Sequence, residues 1–261
     1  MSARLDRSAY ELEFEERFDA TELDATRWVA HYLPQWTTPE QSAAHFDLTQ
    51  HGLRLRIDAD QPPWRDGDGE LRASNLQTGT FSGPVGSPRG QHRHTDGMSV
   101  VTEQPTRELY APSAGLVEAR LRAVADPTIM LAFWLIGFEE DSPDDSGEIC
   151  VVELFGDSIG VSSSELSIGV KAHHDPRLTD DMDRVPADLD ATDWHTYAAA
   201  WDADEIRFYV DDELIRTVSQ SIAYPMQLMV DLFEFPASPE RDPRKYPKTG
   251  DVSSVLGYRP R

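Results

Sequence analysis

The feature that most constrains the fold of this chain is an alternation of apolar and polar residues in short segments. Residues 53–57 place three aliphatic side chains on one face of an extended segment and two arginines on the other, as expected of a half-buried strand. Residues 206–210 alternate in the same way and lead through Asp211 and Asp212 into residues 214–218. Two alternating segments joined by so short an acidic turn predict a β-hairpin.

Similar segments recur along the chain at regular intervals, with Gly or Pro between them. Strands are predicted near residues 71–80, 97–103, 116–121, 129–137, 147–155, 164–173, 195–201, 226–235 and 252–258. Many short strands with only brief helical turns are typical of two antiparallel sheets packed face to face. The sequence therefore predicts an all-β fold, a two-sheet antiparallel β-sandwich, with residues 1–261 as a single domain.

Two long irregular segments interrupt this pattern, at residues 58–70 and 236–250. Long loops on a rigid sheet are where binding residues usually lie, so both segments are candidates for contact with a ligand. Residues 66–70 alternate acidic residues with glycine and resemble a calcium loop, but the glycine comes too early for an EF-hand. A plain turn is therefore predicted there.

The charge of the chain excludes several classes of partner. Its 24 Lys and Arg residues face 47 Asp and Glu residues, which gives a formal net charge of −23. Phosphate backbones and anionic lipid surfaces bind clusters of Lys and Arg, so we expect neither nucleic acid nor a membrane as partner. Acidic loops also repel anionic polysaccharides, which favours a neutral ligand.

The cysteine content and the first residues bear on redox chemistry and compartment. The single cysteine, Cys150, excludes an intramolecular disulfide and a zinc site built from cysteines. No apolar run approaches the roughly 18 residues that a membrane helix needs, and residues 1–6 lack the apolar core of a signal peptide. As it stands, the sequence predicts a cytoplasmic protein; secretion after removal of a leader is the competing explanation.

An apolar segment at residues 147–156 carries two carboxylates, Glu148 and Glu153. Residues five apart on a regular strand face opposite sides, but a β-bulge at Val151 and Val152 would return Glu153 to the face of Glu148. The two residues are then about 13 Å apart along the strand. Side chains leaning together leave a gap of about 5 Å, the separation found in retaining glycosidases. The alternative, two solvated charges, is disfavoured because so apolar a strand is expected to be central.

The order of motifs around these glutamates resembles glycoside hydrolase family 16, the laminarinase and lichenase group. The family signature Glu-x-Asp-x-x-Glu has the spacing of Glu148 and Glu153, and a tryptophan-bearing strand precedes it, as Trp134 does here. The resemblance covers nearly the whole chain in order, through residues 18–28, 115–120, 129–137, 194–201 and 205–211. It implies a concanavalin-like jelly roll with a concave cleft.

The resemblance also implies roles for the residues that match the motif. Glu148 would be the nucleophile and Glu153 the acid/base of a retaining endo-acting glycosidase. The bulged spacing is similar to that of laminarinases, which implies a neutral β-linked glucan, β-1,3 by preference. Trp134 would stack on a sugar face, with a place in the core as its alternative. Two rival functions remain open, a non-catalytic carbohydrate-binding protein on the same fold and a transglycosylase.

The chain departs from the family pattern at three places. Cys150 stands where the motif has its central aspartate, and Met130 and Leu131 replace a Trp-Pro pair. A neutral thiol adds no negative charge beside the two carboxyl groups. The last strand, at residues 253–258, lacks the aspartate that helps to hold a structural calcium ion in the family. The sequence therefore argues against calcium, and no cofactor is expected.

Side-chain parity adds substrate-binding candidates after residue 166. Leu166 and every second residue beyond it point to the core, which leaves Lys171 and His173 toward the cleft. Family members often carry a sugar-binding histidine in this strand, and we favour His173 over His174. Phe155, on the strand of the two glutamates, completes the set.

Four histidines raise the question of a metal site. They are His92, His94, His173 and His174. A His-x-His pair on a strand places both rings on one face, as metal ligands require. Exposed loop histidines are the more common case, so the sequence favours no metal site.

Overall fold

Strands make up most of the regular structure, with almost no helix between them. This computed structural model describes residues 4–235 and 241–261, and sixteen strands lie in that part of the chain. In chain order they are β1 (Tyr10–Glu16), β2 (His45–Thr49), β3 (Gly52–Ile57), β4 (Arg72–Gln77), β5 (Gly79–Thr80), β6 (Arg107–Glu108), β7 (Gly115–Arg122), β8 (Ile129–Gly137), β9 (Glu148–Phe155), β10 (Ser164–Lys171), β11 (Asp181–Ala187), β12 (His195–Trp201), β13 (Ile206–Val210), β14 (Glu213–Val218), β15 (Met226–Glu234) and β16 (Lys248–Pro260). Helix in the described residues is confined to α1 (Pro39–Ser42) and to 3-10 turns at Arg7–Ala9, Pro34–Trp36, Gly156–Ser158 and Pro243–Lys245.

Two antiparallel sheets hold nearly all of these strands. The eight-stranded sheet has the order β14-β13-β12-β7-β16-β3-β2, with β1 paired to β16. The six-stranded sheet has the order β11-β10-β9-β8-β15-β4, and β5 and β6 form a separate pair. The predicted fold, an all-β antiparallel β-sandwich of jelly-roll type, is confirmed.

The main core lies between the two sheets and takes one side of each strand. From β8, Leu131 and Phe133 enter this core, whereas Met130 and Trp134 belong to a second apolar cluster on the opposite face of the six-stranded sheet. Every residue of β8 is buried as a result. A strand that is covered on both faces needs apolar residues throughout, which explains why β8 does not alternate.

Loops cover part of that opposite face and complete the second cluster. The side chains that they contribute are Tyr32, Leu33, Trp36, Trp64, Met98 and Val100. The indole N–H of Trp64 donates to the carbonyl of Tyr32 at 2.8 Å, and that of Trp36 donates to the carbonyl of Gln91 at 2.8 Å. These bonds tie the loops to one another, so they form a fixed wall beside the exposed remainder of the sheet.

Several predicted strands are confirmed, most closely those at 129–137 and 195–201, whose bounds are unchanged. The predicted hairpin is β13-β14, and it turns at Asp211 and Asp212 with φ of 47° and 71°. Two successive residues with positive φ match the twist of the flanking strands, and aspartate tolerates this conformation better than most residues.

The strand predicted at 97–103 is wrong, because this segment is a loop. Its apparent alternation arises because Met98 and Val100 both pack into the second apolar cluster. Conversely, β1, β2 and β11 escape prediction because most of their residues are exposed or half-buried, so their apolar pattern is weak.

The predicted irregular segment at 58–70 contains no strand and supplies Trp64 to the second cluster. Its acidic turn is closed by an ion pair between Arg65 Nε and Asp68 Oδ2 at 2.5 Å. In the other irregular segment, residues 236–240 lie outside the described residues. No helix in the described part of the chain is long and apolar enough to cross a membrane.

Candidate active site

The middle of β9 contains the predicted bulge. Phe133 on β8 pairs with Val152, whereas the next residue, Trp134, pairs with Cys150. Val151 therefore has no partner on β8, and the register against β10 shifts at the same place. One extra residue reverses the parity of everything beyond it, so side chains before and after the bulge share a face.

The bulge brings the two glutamates of β9 together on the cleft face. A carboxylate oxygen of Glu148 lies within 4.8 Å of one of Glu153, near the gap of about 5 Å expected between the carboxyl groups of a retaining glycosidase. The side chain of Glu148 is 5% exposed and that of Glu153 is 12% exposed. Both groups therefore reach the cleft from a floor that holds little water.

Lys171 lies between the two carboxylates and hydrogen-bonds to both. Its Nζ donates to Glu148 Oε1 at 3.0 Å and to Glu153 Oε1 at 2.8 Å. The register of β10 explains this position, because Lys171 is the direct cross-strand partner of Glu148. Burial lowers the pKa of the Lys171 ammonium, but the charges of Glu148 and Glu153 outweigh burial and hold that pKa above its ordinary value. Lys171 is thus a permanent cation in the cleft.

Two further side chains orient the carboxylates. His173 Nε2 lies 2.7 Å from Glu148 Oε2, and the Ser167 hydroxyl donates to Glu153 Oε2 at 2.7 Å. Burial raises the pKa of Glu148, but the hydrogen bond to His173 and the charge of Lys171 outweigh it, so the pKa lies below its ordinary value. Glu148 is therefore ionised and fixed, as an attacking carboxylate must be.

Cys150 lies between the two glutamates on the same face. Its Sγ is 2.6 Å from Glu148 Oε1 and 3.8 Å from Glu153 Oε1, and the side chain is fully buried. Burial and the charge of Glu148 raise the pKa of the thiol well above its ordinary value. The position that carries an aspartate in the family motif therefore holds a neutral S–H group that donates toward Glu148.

Trp134 is 6% exposed and forms part of the floor of the cleft. Its indole N–H donates to Asp231 Oδ2 on β15. Asp231 is fully buried, its Oδ1 has no hydrogen-bond partner among the described residues, and burial raises its pKa well above the ordinary value. The raised pKa favours the neutral form of the Asp231 carboxyl, which lies on β15, the neighbour of β8 in the sheet.

A cavity of about 280 Å³ opens above these residues. It is lined by Tyr32, Trp64, Leu71, His92, His94, Met130, Ala132, Trp134, Glu148, Glu153, Lys171, His173, Phe233 and Phe235. Of the sequence-predicted site residues, Cys150 and Phe155 do not line it. Cys150 is fully buried between the glutamates, and the Phe155 ring stacks on Phe235 with the centroids 6.3 Å apart. His173 lines this cavity, whereas His174 does not.

His92 is buried in the cavity wall, contrary to the expectation of an exposed loop histidine. Its ring lies 4.7 Å from that of His173 and 5.8 Å from that of Trp134, between centroids. Burial and the nearby His173 lower the pKa of His92 to about 3. Its backbone N–H donates to Glu139, whose pKa burial raises to about 8.

Asp231 and His92 are two site residues that the sequence analysis did not assign to the site. Asp231 is the one acidic residue in the middle of the apolar segment Met226–Glu234, and a lone acid in a central strand is a signal that could have singled it out. The His-x-His pattern drew attention to His92, but only the fold of a long loop places it against His173.

Known structures resemble this fold over nearly its whole length. A GlcNAcα1-4Gal-releasing endo-β-galactosidase from Clostridium perfringens is 22% identical, with a TM-score of 0.83 over 98% of this chain and 64% of its own. A laminarinase from Rhodothermus marinus is 18% identical, with a TM-score of 0.67 over 97% of this chain and 98% of its own. A laminarinase from Flavobacterium sp. UMI-01 is 19% identical, with a TM-score of 0.64 over 95% of this chain and 100% of its own. The chain thus spans less than two thirds of the clostridial protein.

At sequence identities this low, the similar structures establish the fold alone. Membership of a family is established by the sequence match to a family model. No curated protein matches the sequence. The family model described as glycosyl hydrolases family 16 matches residues 106–242, more than half of the chain, and this range includes β9 with its two glutamates. The chain belongs to glycosyl hydrolases family 16.

Proposed function

We propose that this protein is a retaining, endo-acting glycoside hydrolase that cleaves a neutral β-linked glycan. The observation that carries the proposal is the carboxylate pair of Glu148 and Glu153, whose nearest oxygens lie within 4.8 Å of each other at the floor of a cavity. A gap of about 5 Å leaves room for direct attack on the anomeric carbon, whereas an inverting enzyme needs a wider gap for water.

In the first step Glu148 attacks the anomeric carbon while Glu153 gives its proton to the departing glycosidic oxygen. The bond between the anomeric carbon and that oxygen breaks, and a glycosyl ester of Glu148 forms. Lys171 and His173 hold Glu148 ionised and aimed through their hydrogen bonds to its two oxygens. This support means that the nucleophile needs no separate base.

In the second step Glu153 acts as a base. It takes a proton from water, the resulting oxygen attacks the anomeric carbon, and Glu148 leaves as a carboxylate. If an acceptor sugar enters in place of water, the same step becomes transglycosylation. Lys171 and Ser167 both offer hydrogen bonds to Glu153 in its charged form, which suits this second step in particular.

The choice of a neutral glycan rests on charge and on the cavity lining. The chain carries a formal net charge of −23, which repels anionic polymers over the whole surface. The cavity that contains the glutamates has Tyr32, Trp64 and Phe233 among its lining residues. Aromatic rings match the C–H faces of pyranose sugars.

Two sugar classes fit this cleft. A β-1,3-glucan is favoured by the bulged motif spacing, which resembles that of laminarinases. A β-galactoside is the second candidate, because the endo-β-galactosidase matches the backbone more closely than the laminarinases do. A non-catalytic carbohydrate-binding role is the rival class, favoured by Cys150 in place of the motif aspartate.

Release of reducing ends from a panel of β-glucans and β-galactosides tests the proposal. We expect one class to be cleaved by the unaltered protein, and Glu148→Gln and Glu153→Gln each to abolish most of that cleavage with an unchanged melting temperature. Glu165→Gln on β10 is the matched control, because this glutamate is 55% exposed and should leave activity intact. Binding without cleavage of any glycan would establish the non-catalytic rival, and full activity in either variant would remove the mechanism.

A further inference from the structure

The imidazole of His92 is a polar group in the cavity wall that the proposed mechanism does not use. His92 is 7% exposed, and its ring nitrogens have no hydrogen-bond partner among the described residues. A ring nitrogen of His92, a ring nitrogen of His173 and a carboxylate oxygen of Glu148 lie within 4.8 Å of one another. Three donor atoms this close together, one of them on a largely buried histidine, are the arrangement of a ligand site.

We infer that His92, Glu148 and His173 form a binding site for a divalent transition-metal ion such as zinc, and that the bound ion blocks the nucleophile. Two imidazoles and one carboxylate, with a fourth position open to the cavity, is a common ligand set for zinc. Hard ions such as calcium and magnesium prefer all-oxygen sites and should bind poorly here.

The geometry needs only a small adjustment to accept the ion. Zinc bonds of about 2.0–2.1 Å hold tetrahedral ligand atoms about 3.3 Å apart. His173 Nε2 and Glu148 Oε2 are 2.7 Å apart, so the ion would enter between them by opening this contact by about half an ångström. His92 approaches from the loop side, with its ring 4.7 Å from that of His173.

The neighbouring charges permit a divalent cation. Lys171 and Cys150 both contact the other oxygen of Glu148, Oε1, so they do not compete for Oε2. Lys171 carries one positive charge beside the two carboxyl groups of Glu148 and Glu153. When both carboxyl groups are ionised, before Glu153 takes up the proton that it gives to the glycosidic oxygen, the cluster has one negative charge in excess that attracts a cation.

Glu148 serves two incompatible roles if both inferences hold. A carboxylate that is bonded to a metal ion is a weaker nucleophile, because the ion withdraws electron density from it and occupies the space that the anomeric carbon would enter. Loss of activity on metal binding therefore rests on the proposed function, whereas the binding itself depends only on the three side chains.

Calorimetric titration of the chelator-treated full chain with zinc tests the site, with cobalt as a second probe because its visible spectrum reports ligand geometry. We expect one ion per chain, a tetrahedral cobalt spectrum, and at least tenfold weaker binding in His92→Gln and in His173→Gln. His51→Gln, on the exposed turn between β2 and β3, should bind zinc as the unaltered chain does. Circular dichroism checks that each variant is folded.

The inference is overturned if the unaltered chain fails to bind zinc at millimolar concentration, if His92→Gln binds it with unchanged affinity, or if calcium competes equally. Zinc binding with the expected variant effects supports the site whether or not the metal-free protein cleaves a glycan. Inactivity of the metal-free protein bears on the proposed function alone. The two proposals therefore fail separately.

Discussion

Two clusters of three charged side chains, one on each sheet, differ in what they can do. In the cleft, Lys171 contacts both Glu148 and Glu153, and these carboxylates are 5% and 12% exposed. On the outer face of the eight-stranded sheet the ratio of cations to carboxylates is reversed. There Asp251 accepts hydrogen bonds from Arg54 at 2.7 Å and from Arg122 at 2.5 Å.

The reversed ratio decides which cluster can exchange a proton. Two guanidiniums hold one carboxylate on the outer face, and neither guanidinium releases a proton in the accessible pH range. In the cleft one ammonium serves two carboxylates. If one of these two carboxylates takes up a proton, the ammonium and the remaining carboxylate still balance each other's charge. The cleft cluster is therefore suited to acid and base chemistry, and the outer cluster to holding strands together.

The largest expected effect comes from removing the side chain of the proposed nucleophile. Glu148→Ala should lower kcat by more than about 10³-fold, equivalent to about 4 kcal/mol. Azide should restore turnover and give an α-configured glycosyl azide, because it enters from the vacated face. The configuration is read by NMR, and a β-configured product would indicate inversion. The outer cluster supplies the control: Asp251→Ala should leave kcat unchanged.

The second comparison sets the buried Trp134 against the half-buried Trp194 of the outer face. Trp134→Ala should cost about 3–5 kcal/mol of unfolding free energy, because a large buried ring is lost. Trp194 packs on Arg120 and Arg122 with cation–π distances of 5.2 and 4.9 Å. Trp194→Ala should cost no more than about 1 kcal/mol. Thermal melting measures both.

A sugar titration separates the two interpretations of Trp134. If Trp134 is instead a platform for sugar, its alanine variant loses oligosaccharide affinity and keeps its stability. Unchanged stability together with unchanged affinity contradicts both interpretations.

The third prediction removes the shared cation. Lys171→Met should raise the pKa of Glu148, because one of the groups that hold it low is lost. Since Glu148 must be ionised to attack, the acid limb of the pH–rate profile should move to higher pH by about one unit or more. Lys171→Arg keeps the charge and is the matched variant. An acid limb that stays in place in Lys171→Met would show that the ammonium does not tune the pair.

The fourth prediction restores the aspartate of the family motif. Negative charge near a carboxyl favours its protonated form, which helps an acid catalyst to keep its proton toward neutral pH. The neutral thiol of Cys150 lacks that charge, so we expect a pH optimum on the acid side or low activity throughout. Cys150→Asp should move the alkaline limb of the pH–rate profile upward. If the limb stays and only the rate falls, the site is adapted to the thiol.

The smallest effect is expected from the outer cluster. Asp251→Asn should lower the unfolding free energy by about 1 kcal/mol at neutral pH, since the ion pairs are partly exposed. Burial raises the pKa of Asp251, but Arg54 and Arg122 outweigh burial and hold it low. The stabilisation is therefore present above the unfolded pKa of about 3.9 and is lost as the pH falls through the folded value. Melting curves of variant and unaltered chain should converge in acid; a constant difference would contradict the charge effect.

Much of the fold follows from local sequence pattern. The strands β8 and β12, the hairpin at Asp211 and the bulge in β9 were all predicted from residues adjacent in the chain. The prediction of a strand at 97–103 was wrong, because a loop that packs alternate side chains into an apolar cluster has the same sequence alternation as a strand. Local pattern reports which side chains are buried, and it does not report what buries them.

The candidate site divides in the same way. The sequence by itself determined the two glutamates on one strand, and the bulge predicted between them, which β9 contains, places them on a common face. Only the tertiary structure decided that Lys171 bridges them, that Asp231 accepts a hydrogen bond from Trp134, and that His92 packs on His173. Trp134 and Asp231 are 97 residues apart in the chain. Contacts of this kind depend on which strands become neighbours and on how loops fold over them. Strand order and loop position are stabilised by packing in the assembled core, which residues adjacent in the sequence do not determine.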